Sequence, residues 1–298
     1  MTPDDYAHRD RDWLDTDGNP IDEDHRGLVY DIRTLVDRRR ALGIFGGIGL
    51  TSLLAACAAP ESQAPASATT PSTSSPSPSA SASATAGGSD PLSEVPDETG
   101  GPYPGDGSNG VNVLDDSGIV RSDIRSSFGS SAVVAEGVPL TIELTVRDAA
   151  TGGALVGAGD YLRHCDRDGN YSLYTGGLDE VNYLRGVQAT DEMGTVRFTS
   201  IYPACYSGRW PHIHFEVYSD VDNAVASGPI VKTSQIALPE EVNTVVYATS
   251  GYEQSVRNVS QTSLTRDMVF GDDGGIHQIA SMSGSVASGY TAALTIGV

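Results

Sequence analysis

The sequence predicts an all-β domain, an antiparallel β-sandwich with a few short helices, preceded by a signal peptide and a disordered linker. Three observations lead to this fold class. Short segments alternate apolar and polar residues with a period of two, glycine-rich turns separate these segments, and the one clear helix start is at Pro239. Many short strands with such turns are typical of a sandwich.

The N-terminal part divides into an acidic region, residues 1–37, and an export signal, residues 38–57. Arg38–Arg40 precede an apolar stretch that ends in Leu-Ala-Ala-Cys at Cys57. Adjacent arginines resemble a twin-arginine signal, a route that carries folded proteins, and the Cys57 string resembles a bacterial lipobox. A transmembrane anchor is the alternative, but the apolar run is shorter than the roughly 20 residues of a spanning helix. We therefore expect an exported protein, secreted or held at the cell surface by lipid on Cys57.

Residues 58–96 are predicted to form a disordered tether rich in Ser, Ala, Pro and Thr, because such a composition cannot bury a core. The folded domain is then residues 97–298. It carries 11 Lys and Arg against 25 Asp and Glu, a net charge of −14. Nucleic acid is excluded as a partner on this basis, since phosphate binding requires a basic face. Contact with a membrane is expected only through the Cys57 lipid.

The elements of the domain follow from its periodicity. Strict alternation predicts a strand over 140–146, and an Asp-Gly turn at 167–169 predicts a hairpin of 161–166 with 170–174. Further strands are predicted over 195–200 and 211–218, and a hairpin over 276–296 that turns at Ser288-Gly289. Pro239 suits the first turn of a helix.

The strand over 211–218 carries the chemistry. His212 and His214 project from one face with Cα atoms roughly 6.5 Å apart, a workable distance for two ligands of one metal ion. An isolated pair of this kind is more often two hydrogen-bonded histidines. Tyr206, however, lies six residues before His212, and a phenolate is a hard, anionic ligand that favours a trivalent ion. This combination indicates Fe(III).

The string Tyr206-x-Gly-Arg209-x-Pro-His212-Ile213-His214 resembles the core motif of the intradiol ring-cleavage dioxygenases, here in an exported, actinobacterial-like lipoprotein branch. Five other segments resemble strings of the same family in the same order: 98–103, 121–124, 164–172, 184–188 and 198–203. Each is weak alone, but together they span nearly the whole domain.

The resemblance implies a role for each matching residue. The Fe(III) ligands would be Tyr171, Tyr206, His212 and His214, with Tyr206 leaving when substrate binds. Arg209 and Gln235 would join Tyr206 in catalysis beside the substrate ring, and Gly101, Pro102 and Tyr103 would line the substrate pocket. The implied reaction uses O2 to cleave a small aromatic diol of the catechol type between its hydroxyl-bearing carbons, giving a muconate-type diacid.

Several alternatives stay open at this point. The domain could be a non-catalytic, lipid-tethered sandwich that binds aromatic compounds or cell-wall polymer, or a hydrolase that uses the same histidines for zinc. Cys165 and Cys205 are a candidate disulfide pair, since exported proteins form disulfides. His164 is predicted to be structural rather than a fifth ligand, and Arg163 stands where many relatives have Trp. The helical region of the catechol 1,2-dioxygenases is absent, so a dimer built through such helices is not expected and the oligomeric state is open.

Overall fold

Two four-stranded sheets form the part of the chain that the structure, a computed structural model, describes, which is residues 92–298. The acidic region and the predicted export signal with Cys57 lie outside the described residues, as does most of the predicted tether. The strands are β1 (Pro139–Arg147), β2 (Gly159–Arg163), β3 (Arg185–Ala189), β4 (Thr195–Ile201), β5 (His212–Tyr218), β6 (Ile230–Ala237), β7 (Ser281–Ser285) and β8 (Gly289–Gly297). Sheet one has the order β4-β1-β8-β7, and sheet two has the order β3-β2-β5-β6. The predicted all-β sandwich is confirmed.

The helices are short, one between β5 and β6 and the others after β6. They are α1 (Val221–Val225), α2 (Glu240–Tyr247) and α3 (Glu253–Val259), followed by a 3-10 turn (Leu264–Arg266). The predicted helix at Pro239 exists, but it begins one residue later, at Glu240, with Pro239 as its N-cap. Within residues 92–298, none of the helices combines the length and hydropathy that crossing a membrane requires.

The main core lies between the two sheets. The even-numbered residues Leu140 to Val146 of β1 are buried while their neighbours are more exposed, as the alternation predicts. They pack in one cluster with Ile213, Phe215 and Val217 of β5. The opposite face of β5 therefore carries its histidines away from this core, and sheet two separates the core from the candidate site.

One strand pair departs from the predicted antiparallel arrangement. β1 is antiparallel to β4 on one side, but on the other side it is parallel to β8, with Leu140 opposite Tyr290. A parallel neighbour requires a long crossover. Here the connection from β1 to β8 includes all four strands of sheet two. β8 is nevertheless an inner strand of sheet one, between β1 and β7.

The hairpin predicted around Asp168-Gly169 is only half correct. The turn exists, because the Asp166 amide donates to the Asn170 carbonyl at 2.8 Å. Residues 170–174 are not a strand, since the chain curls and the amide of Thr175 donates to the carbonyl of Tyr171 at 3.0 Å. The strands beside β2 are β3 and β5 instead.

The folded domain begins earlier than predicted. Residues 92–96, assigned to the tether, hydrogen-bond to sheet one, as the Val95 amide donates to the Gly297 carbonyl at 2.9 Å. The Val95 side chain is 1% exposed. The ammonium group of Lys232 then holds Glu94 at 2.6 Å and Asp97 at 3.2 Å. An apolar anchor and an ion-pair cluster fix this stretch, which composition alone does not reveal.

The candidate disulfide is not formed in this structure. Cys165 and Cys205 are both buried and free. The Cys165 thiol donates to the Ala204 carbonyl at 3.6 Å, and the Cys205 thiol to the Arg209 carbonyl at 3.4 Å. Burial, reinforced by the charge of Asp267, raises the pKa of Cys205 to about 12. Both thiols are therefore protonated groups of the core.

Candidate metal centre

Strand β5 presents the two histidines at the centre of sheet two. His214 lies opposite Arg163 on β2 and opposite Gln235 on β6. His212 and His214 are both buried, with 2% and 3% exposure. The neighbouring strands therefore fix both imidazoles and place further polar side chains on each side of them.

Three donor atoms converge beside these strands. The Nε2 atoms of His212 and His214 are 3.1 Å apart, and Tyr206 Oη is 3.1 Å from His212 Nε2. His212 Nδ1 lies 2.6 Å from the Trp210 carbonyl, which can only accept, so Nδ1 carries the proton and Nε2 keeps its lone pair. Burial and the charge of Arg209 lower the pKa of His212 to about 3, so the ring is neutral. A neutral imidazole is the form that binds a metal.

Tyr171 lies close to these three atoms. It belongs to the turn that the structure has where the second strand of a hairpin was predicted. Its ring centroid lies 6.1 Å from that of Tyr206 and 6.4 Å from that of His214. Tyr171 is 2% exposed, and its hydroxyl has no hydrogen-bond partner among the described residues, nor has His214 Nδ1. Buried polar atoms without partners are rare in native proteins and call for an explanation such as an ion.

The two tyrosines and two histidines fit a ferric ion. Two neutral nitrogens and two ionisable phenols supply hard oxygen and imidazole donors at one place, and an ion would give the unpartnered Tyr171 hydroxyl its partner. Within residues 92–298, no group of three or more His, Cys, Asp or Glu side chains could hold a metal ion. Any centre built on His212 and His214 therefore depends on the tyrosines.

Tyr206 differs from the other three predicted ligands in its exposure. It is half-buried, whereas Tyr171, His212 and His214 are buried. The Cβ atom of Tyr206 lies 3.3 Å from the position that a Cβ atom on residue 169 would occupy. Gly169 also has a φ of +92°, so glycine suits this close approach of the two segments. Two residues after Tyr206, exposed Gly208 has a φ of +82°. Tyr206 is thus the most exposed of the four predicted ligands.

Arg209 is fully buried and is held in a fixed orientation. Its Nη2 donates to Gln235 Oε1 at 2.7 Å, and its Nε donates to Asp267 Oδ2 at 3.0 Å. Gln235 in turn donates to the carbonyl of Thr99 at 3.0 Å. The two residues that the resemblance places beside the substrate ring are therefore in direct contact.

Asp267 is a site residue that sequence analysis missed. It is 2% exposed and accepts from Arg209 and from the backbone amides of Trp210, Val269 and Phe270. Burial alone would raise its pKa, but the charge and hydrogen bonds of Arg209 and the Trp210 amide outweigh burial, and the pKa is lowered. Asp267 is therefore a buried anion that fixes the pocket arginine.

Residues 98–105, here called the rim segment, precede β1 in the chain and lie against the candidate site. Its carbonyls accept from three buried side chains: Gln235 to Thr99, Arg163 to Gly100 at 2.8 Å, and Arg185 to Tyr103 and Pro104, each at 2.9 Å. Gly101 has a φ of +74° and is buried together with Pro102. The Tyr103 ring centroid is 4.8 Å from that of Tyr171. All three residues predicted to line the pocket therefore lie in one segment over the tyrosine.

Arg163 forms a buried ion pair beside His214. Its Nη1 lies 2.7 Å from Glu216 Oε1, and both side chains are 1% exposed. The hydroxyl of Tyr218 donates to the other oxygen of Glu216 at 2.8 Å. Arg163 thus places a buried charge beside the candidate site, and that charge is compensated on the same sheet.

His164 is structural, as predicted. Its Nδ1 lies 2.7 Å from the Cys165 carbonyl and its Nε2 lies 2.7 Å from Ser200 Oγ, so both ring nitrogens have partners. Burial lowers the pKa of His164 to about 4. A histidine with both nitrogens occupied has none left for a metal.

Comparison with known proteins gives relatives by structure only. No protein-family model matches the chain, and no curated protein matches it. An intradiol ring-cleavage dioxygenase from Tetranychus urticae is 26% identical, with a TM-score of 0.51, covering 61% of this chain and 87% of that one. The dioxygenase domain of a carbohydrate-binding fusion protein from Streptomyces sp. SirexAA-E is 21% identical, with a TM-score of 0.44 and coverage of 69% and 98%. Hydroxyquinol 1,2-dioxygenase from Pseudomonas putida DLL-E4 is 15% identical, with a TM-score of 0.43 and coverage of 69% and 66%. The first of these structures confirms the family resemblance that the motifs carry: the domain is similar in fold to an intradiol ring-cleavage dioxygenase.

Proposed function

We propose that the domain is an Fe(III)-dependent intradiol dioxygenase that uses O2 to cleave a catechol-type ring between its two hydroxyl-bearing carbons, giving a muconate-type diacid. The observation that carries this proposal is the convergence of Tyr171, Tyr206, His212 and His214, because two of these side chains reach the site from segments outside β5. When bound, Fe(III) would act as a Lewis acid that draws electron density from the diol and opens a ring carbon to O2.

Tyr206 is the proposed proton acceptor and the side chain that makes room for substrate. A diol that binds through both oxygens must lose two protons: the phenolate oxygen of Tyr206 would take one, and solvent water would take the other. Its half-buried position and the exposed Gly208 two residues later support this role, because the side chain borders solvent and would turn toward it. Tyr171 is buried under the rim segment and would stay in place.

Arg209 is the proposed electrostatic partner of the electron-rich substrate ring. Gln235 and Asp267 hold its guanidinium before substrate arrives, so no reorganisation is needed during the reaction. The site is also closed to water on one side, since Arg209 and Gln235 are both 0% exposed. A fixed charge in such a setting acts strongly on developing negative charge.

Purified protein is expected to be coloured by tyrosinate-to-Fe(III) charge transfer and to cleave catechol or hydroxyquinol, with both atoms of labelled O2 in the product. Replacing Tyr171 with Phe is expected to shift or abolish the visible band, because a phenyl ring cannot donate. Tyr183→Phe is the control: its hydroxyl bonds Asp166 and lies outside the ligand set, so the band should stay. A colourless protein with stoichiometric zinc, or one without metal that binds diols unchanged, would overturn the proposal in favour of the two alternatives.

We also propose that the protein is exported by the twin-arginine route and lipidated on Cys57, so that the acidic domain works outside the cytoplasm on a tether. The string Leu54–Cys57 supports this. Mass spectrometry of the N-terminal peptide from membranes should find acylated Cys57, and Cys57→Ala should move the protein to the soluble fraction. Unmodified Cys57 in a membrane-bound chain would contradict lipidation.

A further inference from the structure

Arg185 is a buried arginine whose partners are all neutral. It is 1% exposed, and its guanidinium donates to Ser172 Oγ at 3.0 Å, the Ser172 carbonyl at 3.1 Å, the Tyr103 and Pro104 carbonyls, both at 2.9 Å, and Tyr161 Oη at 2.9 Å. Within residues 92–298 no carboxylate contacts it. The other two buried arginines near the site, Arg163 and Arg209, each pair with a carboxylate.

These five hydrogen bonds join two parts of the candidate site. Tyr103 and Pro104 belong to the rim segment, and Ser172 directly follows Tyr171 in the chain. The ring centroids of Tyr103 and Tyr171 are 4.8 Å apart, so the two aromatic rings meet at the point that Arg185 connects. A planar guanidinium with five donors in a fixed fork can hold both backbones at once.

The backbone between Ser172 and Arg185 adopts unusual conformations at both ends. Leu173 has a φ of +73° and Leu184 a φ of +57°, although neither is glycine. Such residues persist only where the surrounding structure enforces them, and they gather at functional sites. Ser172 Oγ also donates to the Tyr183 carbonyl at 2.8 Å, and this hydrogen bond joins the two ends of the loop between Ser172 and Tyr183. The chain thus bends against its preference at the two places that bring Ser172 and Arg185 together.

Arg121 is an arginine of similar chemistry without this connection. Its guanidinium donates to the carbonyls of Arg185, Asn182 and Ser126, which are also neutral backbone acceptors. None of these belongs to the rim segment or adjoins a predicted ligand. Arg121 therefore supports the same stretch of chain from the other side, and it serves as a structural control.

We propose that Arg185 is a positioning residue that couples the rim segment to Tyr171, and so sets the distance between the pocket wall and that ligand. The inference rests on the proposed function, because Tyr171 matters here as a ligand. A change at Arg185 should therefore alter the surroundings of Tyr171 and the binding of substrate together, which a purely structural arginine would not do.

The experiment compares Arg185→Lys with Arg121→Lys in the full chain loaded with iron. A lysine ammonium is a point charge on a flexible stem and cannot hold Ser172 and Tyr103 together. Arg185→Lys is expected to shift the visible tyrosinate band and to raise KM for catechol about 10-fold with a much smaller change in kcat. Hydrogen exchange at the Gly105 amide, which donates to Tyr174 Oη, should become faster in the metal-free protein. Arg121→Lys should show none of these changes, whatever its effect on the melting temperature.

Ser172→Ala is the second variant, in case Arg185→Lys does not fold. It removes one side-chain acceptor from Arg185 and should shift the band in the same direction by a smaller amount. Unchanged band, KM and exchange in Arg185→Lys would overturn the inference, and so would equal changes in Arg121→Lys. A wild-type chain that binds no iron and cleaves no diol would instead overturn the proposed function, while the exchange comparison would still show whether Arg185 couples the two segments.

Discussion

Asp267→Asn is expected to lower kcat/KM for catechol about 100-fold and to destabilise the protein by about 3–5 kcal/mol, the range for breaking one side of a buried ion pair. The carboxylate accepts from Arg209 and from three backbone amides. An amide group in its place would point N–H donors at other donors and leave the Arg209 charge uncompensated. Arg209 would then lose the orientation that the proposed reaction requires.

The measurements are steady-state kinetics per bound iron and chemical denaturation. If Asp267 acts through Arg209, the double variant with Arg209→Gln should be no slower than Arg209→Gln alone, because both changes remove the same interaction. Multiplying effects in the double variant would show an independent role. A wild-type kcat/KM in Asp267→Asn would show that the ion pair only stabilises the fold.

Asp160→Asn is expected to have the opposite effect and to stabilise the protein by about 2–4 kcal/mol near pH 8. Asp160 is 0% exposed, and neither of its oxygens has a hydrogen-bond partner among the described residues. Burial, with a further contribution from Glu216, raises the pKa of Asp160 from 3.8 to about 8. By strand alternation it lies on the same face of β2 as Leu162, which packs in the core between the sheets.

The pH dependence gives the prediction its sign. The folded state keeps a proton on Asp160 that the unfolded state has already lost, so the free energy of unfolding falls as pH rises from 3.8 to about 8. The advantage of Asp160→Asn should therefore be near zero at the acid end and grow toward pH 8. Asp115→Asn at an exposed position is the control and should change stability by less than about 0.5 kcal/mol. A constant difference across this range would mean that charge is not the cause.

The two aspartates show what the sequence could and could not indicate. Nothing near either residue in the chain distinguishes them, because the arginine that pairs with Asp267 lies 58 positions away and Asp160 has no hydrogen-bond partner within residues 92–298. The four candidate ligands could be predicted from the sequence. The two histidines share strand β5, and the two tyrosines lie in segments that resemble motifs of the family. Arg209 and Gln235 were placed by the resemblance, but their contact with each other required the structure.

The fold was predictable where one face of a strand meets the core and the other meets solvent, as in β1. Two strands of sheet two, β3 and β6, were not predicted as strands. β6 buries Lys232, Ser234 and Gln235, so polar residues stand where alternation expects apolar ones. These side chains hold the N-terminal segment and the candidate site. The polar side chains that β6 contributes beside the site therefore obscured the alternation by which a strand is predicted.

The parallel pairing of β1 with β8 has a consequence for the order of folding. β8 is an inner strand of sheet one, yet the ribosome makes it after all four strands of sheet two. Sheet one therefore stays open through most of synthesis, and a topology with such distant pairing folds slowly. The domain would reach its native state only once β8 has been made, and on the proposed route for folded proteins this would happen before export. A chain truncated before β8 would therefore lack an inner strand of sheet one rather than an edge strand.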